Sequence, residues 1–138
     1  MNVFDLHIGA WSGTHTVLDA EDREIDRFEV RVDCRREGNV WRQSTSRVWA
    51  DGRTRDSQFT GTFRGEHELI YDHPNLQGRG LPVSDRDIVS AWVDPDVPGV
   101  RFIGIITLLA GHQRVLTIQK IEGDRLTARL LMREHRTV

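Results

Sequence analysis

At 138 residues, with 38% hydrophobic and 29% charged positions, the chain has the size and composition of one folded domain that buries its own core without staples. Its 19 basic and 21 acidic residues are interleaved and sum to −2, which excludes the broad basic field needed for nucleic acid or an anionic membrane. The lone cysteine, Cys34, excludes an intramolecular disulfide and a thiolate metal cluster. Lys120 is the only lysine, a skew read here as compositional bias. The start, Met1-Asn2-Val3-Phe4-Asp5, lacks the basic and apolar regions of a secretory leader, and the longest apolar stretch, 102–110, is too short to span a bilayer. A soluble, cytoplasmic protein is expected, organised as one domain over residues 1–138.

In chain order, the first seven or eight residues suit a short helical turn with Val3, Phe4 and Leu6 as its apolar contacts. Strand-like runs follow at 10–19, 25–35, 40–50, 55–64 and 68–73, then at 87–93, 101–110, 113–121 and 125–135. Short connections of hairpin type separate them, among them Glu37-Gly38-Asn39, Asp51-Gly52, Arg64-Gly65-Glu66 and Glu122-Gly123-Asp124. Phe28, Val30, Val32 and Cys34 alternate with Arg27, Glu29, Arg31 and Asp33, so one face meets a core and the other meets water. Phe59, Gly61 and Phe63 alternate with Gln58, Thr60 and Thr62 in the same way. The stretch 74–82, with two prolines and two glycines, reads as an irregular loop suited to a lid or portal rather than as a ladder strand. About nine strands in a meander favour closure into a single antiparallel up-and-down barrel, since closure removes exposed edges. A two-sheet sandwich would alternate in the same manner.

The first strand and its approach read His7-Ile8-Gly9-Ala10-Trp11-Ser12-Gly13-Thr14. Gly-x-Trp at the start of the first strand, after a short turn, resembles the calycin group of lipocalins and fatty-acid-binding-protein-like barrels. More specifically, Gly-x-Trp-x-Gly resembles bacterial lipocalin-like domains. The resemblance implies that Trp11 closes the barrel floor and that a late-strand arginine packs on its ring, with Arg129 and Arg133 as the candidates. It implies a barrel and a ligand without naming the ligand.

If Trp11 faces inward, alternation places Gly13, His15 and Val17 on the same interior line. Trp41, Gln43 and Thr45 then face inward on the third strand, with Trp49 beyond, and Leu69, Tyr71 and His73 share a face on the fifth. On 87–93 the inward set is either Ile88, Ser90 and Trp92 or Val89, Ala91 and Val93; on 113–121, Val115, Thr117 and Gln119 oppose Arg114, Leu116 and Ile118. The expected ligand-binding set is Trp41, Thr45, Phe28, Val30, Phe59, Phe63, Trp92 and Gln119, apolar walls with a few polar donors. The expected catalytic residues are His15 as general acid or base, with Tyr71 and Gln43 donating hydrogen bonds to a carbonyl or enolate oxygen. An inward histidine, tyrosine or glutamine held by structural hydrogen bonds is the competing account of all three. The six histidines are scattered without metal-ligand spacing, so no metal site is expected. Cys34 reads as a small core residue. Gly78-Arg79-Gly80 precedes no helix and is not a phosphate loop, and no nucleophile elbow, Walker or dinucleotide motif is present.

These readings point to a barrel enclosing a hydrophobic small molecule and acting as a cofactor-independent cyclase or isomerase of a natural-product intermediate, a function implied by the resemblance and in keeping with the lack of catalytic motifs. The alternative is a non-catalytic carrier or sensor of a lipid, pigment or haem, and a third reading is an interaction module with a filled core. The expected partner is a hydrophobic ligand or substrate, not nucleic acid or membrane, with a homodimer left open and no cofactor.

Overall fold

The computed structural model describes residues 2–110 and 112–137. A 3-10 helix (Val3–His7) leads into ten strands: β1 (Gly9–Asp19), β2 (Glu24–Glu37), β3 (Val40–Val48), β4 (Thr54–Arg64), β5 (Glu68–His73), β6 (Leu76–Pro82), β7 (Asp87–Val93), β8 (Val100–Leu109), β9 (Gln113–Glu122) and β10 (Arg125–Arg136). Each pairs antiparallel with its neighbours in chain order, and β1 pairs with both β2 and β10, so the sheet closes on itself. The fold is therefore an all-β up-and-down barrel, and the sandwich alternative falls. No helix among the described residues is long and apolar enough to cross a membrane.

The strand β6 corrects the expectation of an irregular loop. Pro74-Asn75 forms a two-residue turn, with His73 and Leu76 opposite each other across the β5–β6 ladder. Gly78 and Gly80 are ladder residues that allow close approach. A Cβ on Gly78 would lie 2.0 Å from the Ala91 carbonyl oxygen, and one on Gly80 would lie 2.6 Å from the Tyr71 hydroxyl. Pro82 ends the strand, where a missing N–H costs the ladder least.

Asn2 opens the 3-10 helix by accepting a hydrogen bond from the Phe4 amide at 3.0 Å, and the helix plugs one end of the barrel. Phe4 meets Trp41 and Phe63 edge to face at 5.7 and 5.3 Å between ring centroids. Trp11 is fully buried and its Nε1–H donates to the His7 carbonyl at 3.0 Å. The guanidinium groups of Arg114 and Arg136 lie 4.3 and 4.4 Å from its ring centroid. Arg136 thus takes the place expected for Arg129 or Arg133. Those two alternate with Leu130, Met132 and Glu134, which point into the barrel, so they are one residue out of phase with the interior. Gly13 has its own reason: a Cβ there would stand 1.9 Å from the Arg133 carbonyl oxygen, so only glycine lets β10 close against β1.

The opposite end is open and carries the turns after β1, β3, β5, β7 and β9. A lateral window adjoins it. β4 pairs with β5 only from Gly61 to Arg64, so its first residues pair with β3 alone and have no ladder partner on their other side. The β5–β6 hairpin tip beside this gap is tied to the loop after β7, where Asn75 Nδ2 donates to Asp94 at 3.3 Å and to Asp96 at 2.8 Å.

Candidate functional site

The barrel is hollow. A cavity of ≈ 430 Å³ extends from the 3-10 helix toward the window, walled largely by apolar side chains such as Phe28, Phe59, Leu69, Ile88 and Leu116. This excludes the filled-core reading. Alternation on β7 resolves in favour of Ile88, Ser90 and Trp92, and Trp92 stacks on Phe102 across the β7–β8 ladder at 5.5 Å. Volume and lining fall in the range of sites for small organic molecules.

Of the residues singled out from the sequence, His15, Gln43, Tyr71, Trp41, Thr45, Phe28, Phe59 and Trp92 all line the cavity. Val30 and Phe63 are buried but outside its lining: Val30 stands opposite Gly13, and Phe63 packs with Phe4 and Trp41 in the floor. Gln119 is a correction. The inward set on β9 is Arg114, Leu116 and Ile118, and Gln119 accepts a hydrogen bond from Arg129 Nε at 3.1 Å on the outer surface.

A polar cluster sits inside the apolar wall. Arg114 and Glu134 face each other across the β9–β10 ladder, and both are buried. Arg114 Nε and Nη2 each approach Glu134 Oε1 at 2.7 Å, and His15 Nε2 lies 2.9 Å from Oε2. Burial pushes the Glu134 carboxyl up, but the hydrogen bonds from His15 and Arg114 and the Arg114 charge outweigh this and hold it below the usual carboxylate range. It is thus an anion, and His15 Nε2 must donate to it. Arg114 Nη1 also donates to His7 Nδ1 at 3.1 Å. Burial, then the charges of Arg114 and Arg136, lower the His7 pKa to about 3. The ring is neutral, with its proton on Nε2, the only buried side-chain polar atom among the described residues without a partner. Sequence reading missed His7, Arg114 and Glu134 because charge was assigned to the outer face. The signal was present: Glu134 keeps phase with Leu130 and Met132, and Arg114 with Leu116 and Ile118.

The remaining polar groups are oriented by local bonds. Gln43 Oε1 accepts from Trp41 Nε1 at 3.4 Å and from Cys34 Sγ at 3.7 Å, which leaves the amide NH₂ as its free donor. Burial pushes the Cys34 thiol up to about 11, so it stays protonated and unreactive. Burial likewise pushes Tyr71 up to about 12, and its hydroxyl bonds Ser90 Oγ at 2.8 Å.

No protein-family profile matches the sequence, and no curated protein is similar to it. Solved structures do match. A protein of unknown function from Nostoc punctiforme, of the DUF3598 family, superposes with a TM-score of 0.79 at 19% identity over 97% of this chain and 49% of its own. The chain therefore spans about half the length of that protein. The S-type phycobiliprotein lyase CPES of Guillardia theta superposes with a TM-score of 0.75 at 12% identity, covering 98% of this chain and 90% of the lyase. Rv2717c of M. tuberculosis gives 0.71 at 16% identity, covering 96% and 94%. Identities this low speak for the fold of the barrel and not for its ligand.

Proposed function

We propose that this calycin-type barrel binds a hydrophobic small molecule and isomerises or cyclises it by proton transfer without a cofactor. The observation that carries the reading is a histidine bound to a buried carboxylate on the wall of an otherwise apolar cavity. With Nε2–H held by Glu134, the Nδ1 lone pair of His15 serves as general base, and Glu134 orients the ring and stabilises the imidazolium that forms. In an isomerisation, Nδ1 takes a proton from carbon beside a carbonyl and the electron pair moves onto oxygen. Return of that proton to another carbon completes a redox-neutral step. The Gln43 amide and the Tyr71–Ser90 hydroxyl pair are the donors proposed to hold the oxygen.

Carriage of an unaltered lipid, pigment or haem is the second reading, favoured by the lateral window and by the mutual satisfaction of Tyr71 and Ser90. One experiment separates the two. Lipophilic material extracted from the purified protein is identified by mass spectrometry and returned to fresh protein in D₂O. Deuterium incorporation that is lost in His15→Ala with binding retained supports proton transfer. Recovery of the molecule unlabelled and unrearranged supports carriage, and a visible absorption band would identify a pigment or haem. Glu134→Gln should slow exchange by roughly 10²-fold or more, the usual worth of a positioned acid–base group.

A further inference from the structure

Two arginines point toward the cavity side of the wall, and only one of them is neutralised. Arg114, deep in the barrel, has Glu134. Arg47, at the open end, lines the cavity, and among the described residues its side chain hydrogen-bonds only Ser57 Oγ, at 2.9 Å. Directly across the β3–β4 ladder stands Arg55, on the same face of the sheet by alternation. Neither Arg47 nor Arg55 makes an ion pair among the described residues, and like charges placed directly opposite each other are unfavourable. Partial burial, followed by the Arg55 charge, holds the Arg47 guanidinium below its usual range. Asp26 accepts from Trp49 Nε1 at 2.9 and 3.1 Å, Asp51 pairs with Arg53, and Asp56, next to Arg55 in β4, lies on the opposite face by alternation. Arg55 lies on the stretch of β4 that borders the window, and Arg47 stands opposite it on β3.

We infer that the ligand is an apolar carboxylic acid whose carboxylate seats against Arg47 and Arg55 at the mouth while its apolar body fills the barrel. This rests on the ligand-binding reading above and adds the substrate class to it. A carboxylate there supplies the missing counter-charge, and a guanidinium offers it paired N–H donors. Binding with the acid end at the mouth also fixes which part of the molecule reaches His15.

The test is a fluorescence titration of wild type, Arg47→Gln and Arg55→Gln with cis-parinaric acid, a fluorescent polyene carboxylate, and with its methyl ester. Wild type should bind the acid about tenfold or more tighter than the ester, the scale of a charge-assisted contact away from bulk water. The preference should shrink with added salt and largely vanish in each variant, while the ester binds all three proteins alike. Equal affinity of wild type for acid and ester, or a preference that survives both substitutions, overturns the anionic end and leaves the cavity reading intact. Failure of both probes to bind wild type overturns the cavity reading, and this inference with it. Arg55 is exposed, so Arg55→Gln carries the test even if Arg47→Gln does not fold.

Discussion

Glu134 illustrates how a single side chain is stable where its type rarely belongs. Its carboxylate is almost fully buried, yet both oxygens are occupied, one by Arg114 and one by His15. Such a pair contributes little net stability relative to an apolar replacement, because desolvation offsets the attraction. Removing one partner is different. Glu134→Leu would leave the Arg114 charge buried without its counter-charge and is expected to cost about 3–5 kcal/mol, readable by urea denaturation. The double variant Glu134→Leu/Arg114→Met should recover much of that loss, as the double-mutant cycle would show. Recovery would identify the penalty as the orphaned charge.

At the scale of elements, β6 tests the claim that glycine here permits pairing and does not break it. Gly78→Ala puts a methyl group into the backbone of β7, with the Ala91 carbonyl 2.0 Å from the ideal Cβ position. Backbone cannot rotate away as a side-chain tip can, so a loss of at least about 1–3 kcal/mol is expected by thermal or chemical denaturation. Gly38→Ala is the control for its effect, since no atom lies within 4 Å there, although the φ of +60° adds its own smaller strain. Hydrogen exchange should find ladder amides of 76–81 protected, as a strand requires and a loop would not.

For the whole molecule, closure ties stability to pH. The His7 pKa is about 3 in the folded barrel against an ordinary 6.5, so between these values the unfolded chain binds a proton that the folded one refuses. Its contribution is complete above pH 6.5 and declines as the pH falls toward 3. The slope from this one group is at most about 1.4 kcal/mol per pH unit. Glu134, whose pKa is also lowered on folding, adds a loss in the acid range as it is protonated. Urea midpoints measured from pH 7.5 to 4 should fall, and His7→Gln should flatten the profile. A profile of equal slope in that variant would remove His7 as a cause.

Much of this architecture was legible in the residues themselves. Alternation of Phe28, Val30, Val32 and Cys34 with charged neighbours, the position of Gly9 and Trp11, and the spacing of hairpin turns mark out most of the strands and the inner faces of several, and favour a closing sheet, because a period of two is a local property of the chain. The same period contained Arg114 and Glu134 in the interior phase, but a buried charge is interpretable only with its partner. His15 and Glu134 are 119 positions apart and meet because β10 closes onto β1. Tertiary structure alone decided that β6 is a strand, since its glycines are required by the approach of β7 and of Tyr71. It alone decided that Arg136 covers Trp11, that the interior is hollow, and that Arg47 faces Arg55 with no carboxylate between them. Space, and the pairing of distant charges, exist only once the sheet has closed.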